Sequence, residues 1–192
     1  MSGTVRQGEG AVLETERLLL RPLTPADRGD LCEILQDRAT MYAYEHAFSD
    51  EEVDQWLQNQ LRRYREDGFG LWAAVDRESG EMVGQIGLTL QDWDGRRVPE
   101  VGYLLKRRFW GMGYATEGAR GCMDYAFERL GFPWICSIIR DNNLPSQQVA
   151  RRNGLTPRGH LVKHYYGMDM PHTVWCAWRP GGEEVALAQT GQ

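Results

Sequence analysis

The sequence has no Cys-x-x-Cys pair, no apolar run long enough to cross a bilayer and no excess of positive charge. Each absence removes a class of function. The four cysteines, Cys32, Cys122, Cys136 and Cys176, lie far apart. Without paired spacing they make neither a zinc knuckle nor a thioredoxin-type motif. Scattered thiols in a chain of 192 residues fit a reducing cytosol better than a disulfide scaffold, so a cytoplasmic location is expected. A spanning helix needs about 18 or more consecutive apolar residues, and none occurs. The polar start, MSGTVRQGEGAVLETE, lacks a signal-peptide core. A membrane partner is therefore not expected. Lys+Arg number 22 against Asp+Glu 27, a net charge of −5. An acidic chain without recognition motifs is a poor nucleic-acid coat.

What is present reads as one globular domain over residues 14–180, with loose tails at 1–13 and 181–192. Arg17–Arg21 is a short apolar run of strand type. Thr24-Pro25-Ala26-Asp27 opens a helix, with a capping Thr, Pro in the first turn and an acid at the positive end of the dipole. Ser49-Asp50-Glu51-Glu52 has capping-box form, and Val53, Trp56, Leu57, Leu61 and Tyr64 follow at helical spacing. Three strand-like runs, 69–76, 82–90 and 98–105, are joined by short turns that imply an antiparallel meander. A helical stripe from Ala115 to Leu130, a buried strand at 133–140, a short helix at 143–153 and a final hairpin complete the chain. The result is a mixed α+β domain with seven strands and about four helices.

The segment with the most chemical content is Pro99–Gly118, PEVGYLLKRRFWGMGYATEG. It places Gly111 and Gly113 between a strand and a helix start, where backbone N–H groups and the helix dipole suit a pyrophosphate. Lys106, Arg107 and Arg108 set a basic cluster beside it. Walker A spacing fails, because one residue separates the glycines. A Rossmann fingerprint fails as well, because Thr116 stands where a third small residue belongs. A second strand-to-helix junction, Arg140–Leu155, carries Asn143 and Ser146, for which simple helix capping is the competing explanation.

Together these segments make the chain similar to the GNAT superfamily of N-acetyltransferases, and most similar to its RimJ/RimL-like branch of ribosomal-protein N-terminal acetyltransferases. ETERLLLRPLTPAD (14–27) resembles that branch's opening strand and helix. RRFWGMGYATEG (107–118) fits the superfamily's Arg/Gln-x-x-Gly-x-Gly/Ala signature, followed by the branch's Tyr-Ala-Thr-Glu. Asn143-Leu144-Pro145-Ser146 with Asn153-Gly154-Leu155 resembles the Asn-x-x-Ser…Leu-Gly-Phe segment, departing at Asn153 and Leu155. The resemblance covers about residues 14–179. It implies the GNAT fold, acetyl-CoA as cosubstrate bound beside splayed strands, and direct transfer to an amine. It also implies that Tyr103, Leu104 and Leu105 pair with the pantetheine arm. Backbone N–H groups from Arg108 through Gly111, Met112, Gly113 and Tyr114 to Ala115 would hold the pyrophosphate. Asn143 would contact pantetheine, and Ser146 would lie near the thioester sulfur.

Chemistry adds roles to these positions. A bulge at Tyr103–Leu105 would leave N–H groups free to stabilise an oxyanion. Glu100, on the same strand, is the expected general base, acting through water; an ordinary solvated carboxylate is the competing reading. Glu45 and His46 are a weaker second choice. Ser146 would protonate the leaving thiolate. His160, His164 and His172 cluster near the last hairpin, but no ligand motif supports a metal, and none is expected. Trp56, Trp72 and Trp175 read as core, and Trp110 as packing under the glycine loop. The 37–48 loop and the 159–171 hairpin should frame the acceptor, a peptide N-terminus or a small-molecule amine. The acidic balance leaves room for a cationic one. The chain is expected to act as a monomer or homodimer. The alternative function is an acyl-CoA-binding sensor or structural module without turnover.

Overall fold

The computed structural model describes residues 10–181. The opening strand-and-helix signal becomes β2 (Leu18–Arg21), a 3-10 turn at Pro25–Asp27 and α1 (Arg28–Leu35). The turn is fixed by its acid: Asp27 accepts from the Thr24 N–H at 2.7 Å and from both terminal nitrogens of Arg21 at 2.8 Å. The next capping box closes as its residue types require. Ser49 Oγ accepts from the Glu52 N–H at 3.2 Å, and the Glu52 carboxylate accepts from the Ser49 N–H at 2.8 Å. These two bonds satisfy orphan donors at the start of α2 (Asp50–Glu66).

The meander is β3 (Leu71–Asp76), β4 (Met82–Trp93) and β5 (Arg96–Leu105). The last two run longer than the sequence pattern suggests. Asp94 and Gly95 both take left-handed conformations, with φ of 49° and 69°, which is the turn whose twist matches a two-residue hairpin. Pairing therefore continues out to Trp93↔Arg96. Then come α3 (Tyr114–Glu128), β6 (Trp134–Arg140), α4 (Leu144–Arg152), β7 (Thr156–Tyr165) and β8 (Met168–Trp178).

Among the described residues the sheet has eight strands, not the seven expected; with β1 at Leu13–Glu14 the order is β1-β2-β3-β4-β5-β6-β8-β7. The extra strand, β1 (Leu13–Glu14), is too short to show a period. The Val12 N–H bonds the Leu20 carbonyl at 2.8 Å, so the ordered chain begins before residue 14. The tail expectations at 1–9 and 182–192 lie outside the described residues. Every neighbouring pair is antiparallel except β5 and β6.

Strand alternation divides the molecule into two layers. One face carries Leu18, Leu20, Ile86, Leu88, Val101, Ile135, Ile139 and Trp175 against α3 and α4. The other packs Ala73, Met82 and Leu104 against α1 and α2. Further along, that second face has a separate apolar patch of Val98, Cys136, Ile138, Val174 and Cys176. Between the two patches run Gln85, Thr89 and Glu100, a polar band on an otherwise apolar surface. Trp56 belongs to this region, and its indole N–H donates to Gln85 Oε1 at 2.9 Å. Trp72 and Trp175 are buried, as expected.

α3 lies very close to the sheet. A Cβ on Gly118 would stand 2.4 Å from Ile86 Cδ1. Ile86 is fully buried and has little room to move. Gly118→Ala should cost about 1–3 kcal/mol through overpacking. The expected readout is a lower urea midpoint with an unchanged m-value.

Candidate active site

The site begins where β5 and β6 part. They share a single bridge, Glu100↔Cys136. The Lys106 N–H bonds Val83 on β4 at 2.9 Å. Alternation then turns the polar backbone groups of Glu100, Gly102 and Leu104 towards β4, and those of Val101, Tyr103 and Leu105 towards the β6 side. In a continuing parallel ladder the Ile138 N–H would reach the Val101 carbonyl. Side chains take both positions instead. The Ile138 N–H donates to Glu100 Oε1 at 3.0 Å, and Ser137 Oγ donates to the Val101 carbonyl at 3.1 Å. Beyond this capped rung, the Tyr103 backbone groups and the Leu105 N–H present an open strand edge, while the Leu105 carbonyl accepts from the Trp110 indole.

This geometry corrects two expectations. The pairing of β5 with β4 is regular through Leu105, so divergence of β6, not a bulge, exposes the edge. Leu104 is committed to Gln85 on β4, so its backbone does not face the gap. Trp110 does not pack under the loop. It is 44 % exposed, and its indole N–H donates to the Leu105 carbonyl at 3.1 Å, lying along the same edge. Across the gap the Tyr103 hydroxyl donates to the Ser146 carbonyl at 2.9 Å, tying β5 to α4.

The glycine loop leads from this edge into α3. Gly111 and Gly113 have φ of 73° and 84°, which side-chain-bearing residues rarely adopt. Gly113 is the N-cap of α3 and supplies no side-chain cap. The first intrahelical bond is from the Glu117 N–H to the Gly113 carbonyl at 3.0 Å. The N–H groups of Tyr114, Ala115 and Thr116 therefore have no helical acceptor. The N–H groups of Phe109 and Trp110 are already used in a 3-10 turn, to Lys106 and Arg107, so the donor set is shorter than Arg108–Ala115. Arg17, outside the expected set, fixes the loop. It donates to the Met112 carbonyl at 2.9 Å, pairs with Glu117 at 2.7 Å and lies over the Tyr114 ring at 4.4 Å. The Tyr114 hydroxyl donates to Asp76 at 2.8 Å. These fixed, anion-seeking donors fit a diphosphate.

The basic cluster does not serve that site. Lys106 is 2 % exposed, and its ammonium pairs with Asp30 at 2.6 Å and Glu33 at 3.2 Å. Arg108 is bonded to Glu33 and Glu81, and Arg107 pairs with Asp37 at 3.5 Å. Arg108 beside Glu33 holds that carboxyl below its ordinary value. The cluster is an internal brace between α1 and the end of β5.

Asn143 and Ser146 take the capping geometry. Asn143 Oδ1 caps α4, accepting from the Ser146 N–H at 3.2 Å, and also accepts from the Tyr42 hydroxyl at 2.7 Å. Among the described residues the Ser146 hydroxyl makes no hydrogen bond. Glu100 faces the other layer, with Oε2 accepting from the Thr89 hydroxyl at 3.2 Å. Burial pushes its carboxyl above the ordinary value; Lys163, the Ile138 N–H, Thr89 and Arg63 oppose this. A carboxylate has about four acceptor sites, so the two bonds leave room for a water or an amine.

Glu45 and His46 are engaged elsewhere. Glu45 pairs with Arg140, and His46 Nε2 meets the Glu52 carboxylate at 2.9 Å. The two segments expected to frame an acceptor do meet: Tyr166, at the β7–β8 tip, packs edge-on against His46 at 4.4 Å between ring centroids. Tyr44, Arg63 and Lys163 were missed by sequence reasoning. Tyr44 is a deeply placed phenol that burial shifts strongly upward, with Glu100, Tyr165 and Arg63 acting on it. Only the Tyr-rich composition of 37–48 pointed towards it. Ser137, a lone hydroxyl inside WICSIIR, was a readable signal of a break in the ladder. Among the described residues no three His, Cys, Asp or Glu side chains converge as metal ligands. No helix there is long and apolar enough to cross a membrane. A cavity of about 370 Å³, lined by Asp124, Phe127, Asn153 and Trp178 among others, contains none of the groups above.

Comparison with known proteins identifies the family of the chain. Residues 17–156 match the family described as acetyltransferase (GNAT) domain. The chain is 33% identical to the uncharacterised protein YkkB of Bacillus subtilis, covering 85% of this chain and 93% of that one. It is also 33% identical to the FsC-acetyl coenzyme A-N(2)-transacetylase of Aspergillus fumigatus, over 83% of this chain and 69% of the relative. The structure of RimL, a ribosomal L7/L12 alpha-N-protein acetyltransferase in complex with coenzyme A, superposes with a TM-score of 0.71. It covers 88% of this chain and 97% of RimL at 18% identity, a likeness of fold alone.

Two substitutions separate backbone from charge as the source of anion binding. Gly113→Ala should weaken coenzyme A binding about tenfold, for roughly 1–2 kcal/mol of backbone strain. Arg108→Met should change it by less than about threefold, because that charge is already paired. Titration of each variant with coenzyme A by calorimetry checks both.

Proposed function

The chain belongs to the GNAT acetyltransferase family, and from that premise we propose that it transfers the acetyl group of acetyl-CoA directly to a primary amine, both being bound at once. The observation that carries this reading is the free edge of β5 running into the uncapped start of α3, with Glu100 at the base of the gap. Acetyl-CoA supplies an acetyl group already activated as a thioester. The N–H groups of Tyr114, Ala115 and Thr116 bind the diphosphate. Tyr103 and Leu105 pair with the amide-bearing arm as an added strand would. One of their N–H groups supports the negative charge that develops on the carbonyl oxygen. Asn143, through its carboxamide, and Ser146 line the far side. The Ser146 hydroxyl donates a proton to the departing thiolate and regains one from solvent, a modest contribution because the thiolate of a thiol of pKa about 8.5 leaves readily.

Glu100 receives the amine proton, directly or through water. An α-amine, of pKa about 7.7–8.0, needs little help at pH 7, whereas a lysine amine, of pKa about 10.4, needs more. The Tyr-Ala-Thr-Glu at 114–117 and the opening segment support a RimJ/RimL-like assignment acting in the cytoplasm, as a monomer or homodimer. The competing reading, an acyl-CoA-binding module, shares the docking edge but not the proton acceptor.

Incubation with acetyl-CoA and a panel of amines, including short peptides, should release free thiol only when an acceptor is present. Coenzyme A-induced thermal stabilisation with no release from any acceptor would favour the binding module. Glu100→Gln keeps an oxygen for the Ile138 N–H and should fold normally. Its kcat/KM should drop about 10²–10⁴-fold. In the parent protein the carboxylate is the active form, so activity is lost as pH falls through its raised pKa. That acid limb should lie above the ordinary Glu value of about 4.3 and disappear in the variant. An unchanged pH–rate profile in Glu100→Gln would remove Glu100 from this role.

A further inference from the structure

The β7–β8 hairpin borders the polar band, with Lys163 near enough to act on Glu100. The hairpin tip is anchored at the start of α2, where Tyr166 meets His46 edge-on and its hydroxyl donates to Glu52. Lys163 pairs across the hairpin with Met170, which is buried, so its side chain starts on the inner face of the hairpin. Arg63 approaches from the last turn of α2. Both cations act on the Glu100 carboxylate. Among the described residues neither makes an ion pair: Arg63 has a long bond of 3.4 Å to Gln60, and Lys163 has no polar bond. Asp67, which acts on Arg63 more weakly than Glu100 does, is taken by Arg97 at 3.4 Å.

The local balance is the reverse of the global one. Arg140 is matched by Glu45, leaving two cations, Arg63 and Lys163, acting on one carboxylate that burial already disfavours in its charged form. A purely cationic amine entering there meets repulsion that Glu100 offsets only once. An amine that brings its own carboxylate completes the balance. We infer that the acceptor is an amine bearing a carboxylate, with Arg63 and Lys163 holding that carboxylate while the nitrogen faces Glu100. This deepens the acetyltransferase reading and rests on it for the identity of the nitrogen as nucleophile.

The test uses the full chain saturated with coenzyme A and matched acid and carboxamide amines. L-glutamate and L-glutamine form one pair, the dipeptides Ser-Glu and Ser-Gln another, and free and amidated glycylglycine a third. Binding is measured by calorimetry, independently of turnover. The tightest ligand should be an acid form, at least about tenfold tighter than its carboxamide, with an advantage that shrinks as salt is raised. Lys163→Met and Arg63→Met should each reduce that ratio towards one, and Lys163→Glu should invert it. A carboxamide as the tightest ligand, or no acid form binding below about 10 mM, overturns the inference. Tight binding of an acid form without thiol release from acetyl-CoA would refute the transfer reading and leave the carboxylate site standing.

Discussion

The parting of β5 from β6 is the constraint on which the rest of the molecule turns. A parallel ladder interrupted in mid-sheet strands polar backbone groups, and such groups are costly when buried. Here the first interrupted rung is closed by a carboxylate on one strand and a hydroxyl on the other, Glu100 on the Ile138 N–H and Ser137 on the Val101 carbonyl. The strands separate without an orphan at the fork. The same carboxylate that closes this rung faces the α1–α2 layer, so the shape of the gap and the proposed proton acceptor rest on one side chain. The edge then runs without interruption into the glycine loop and α3, which Arg17, Glu117 and Tyr114 fix against β2 and Asp76.

Charge is distributed differently on the two sides of this gap. On the loop side, Lys106 and Arg108 are enclosed by Asp30, Glu33 and Glu81 and serve as a brace. Anion binding there falls to backbone N–H groups, whose direction is fixed by helix geometry and does not titrate. On the Glu100 side, Arg63 and Lys163 act on that carboxylate, and among the described residues neither makes an ion pair. Burial lowers the His172 imidazole from its ordinary value, with Lys163 and Arg140 adding to the effect and the bond to Met170 and the charge of Asp141 opposing it.

Much of the fold was legible in the sequence, and the reasons are local. Capping residues determine where helices start, and Ser49, Thr24 and Asn143 all sit where their side chains predict. Gly111 and Gly113 were legible because a left-handed backbone beside a helix start leaves few alternatives to glycine. The ends of β4 and β5 were underestimated because exposed pairs such as Asp92↔Arg97 carry no hydrophobic signal. β1 was missed because two residues show no period. Lys106, Arg107 and Arg108 were misread because a sequence displays charges without their partners, and Asp30 and Glu33 come from a distant helix. Leu104 was placed on the wrong side because only pairing register, fixed over the whole β4–β5 hairpin, decides which edge a backbone group faces. Arg63 and Lys163 reach Glu100 from α2 and β7, elements far apart in the chain, a convergence that no local pattern encodes.

The central claim, that the free edge of β5 is where the cosubstrate docks, is tested most directly by hydrogen exchange resolved to single amides. On adding acetyl-CoA, the Tyr103 and Leu105 amides should become strongly protected together with those of Tyr114–Thr116, while Leu104, already bonded to β4, changes little. Protection confined to the α3 start, with Tyr103 and Leu105 exchanging as in the free protein, would contradict the account.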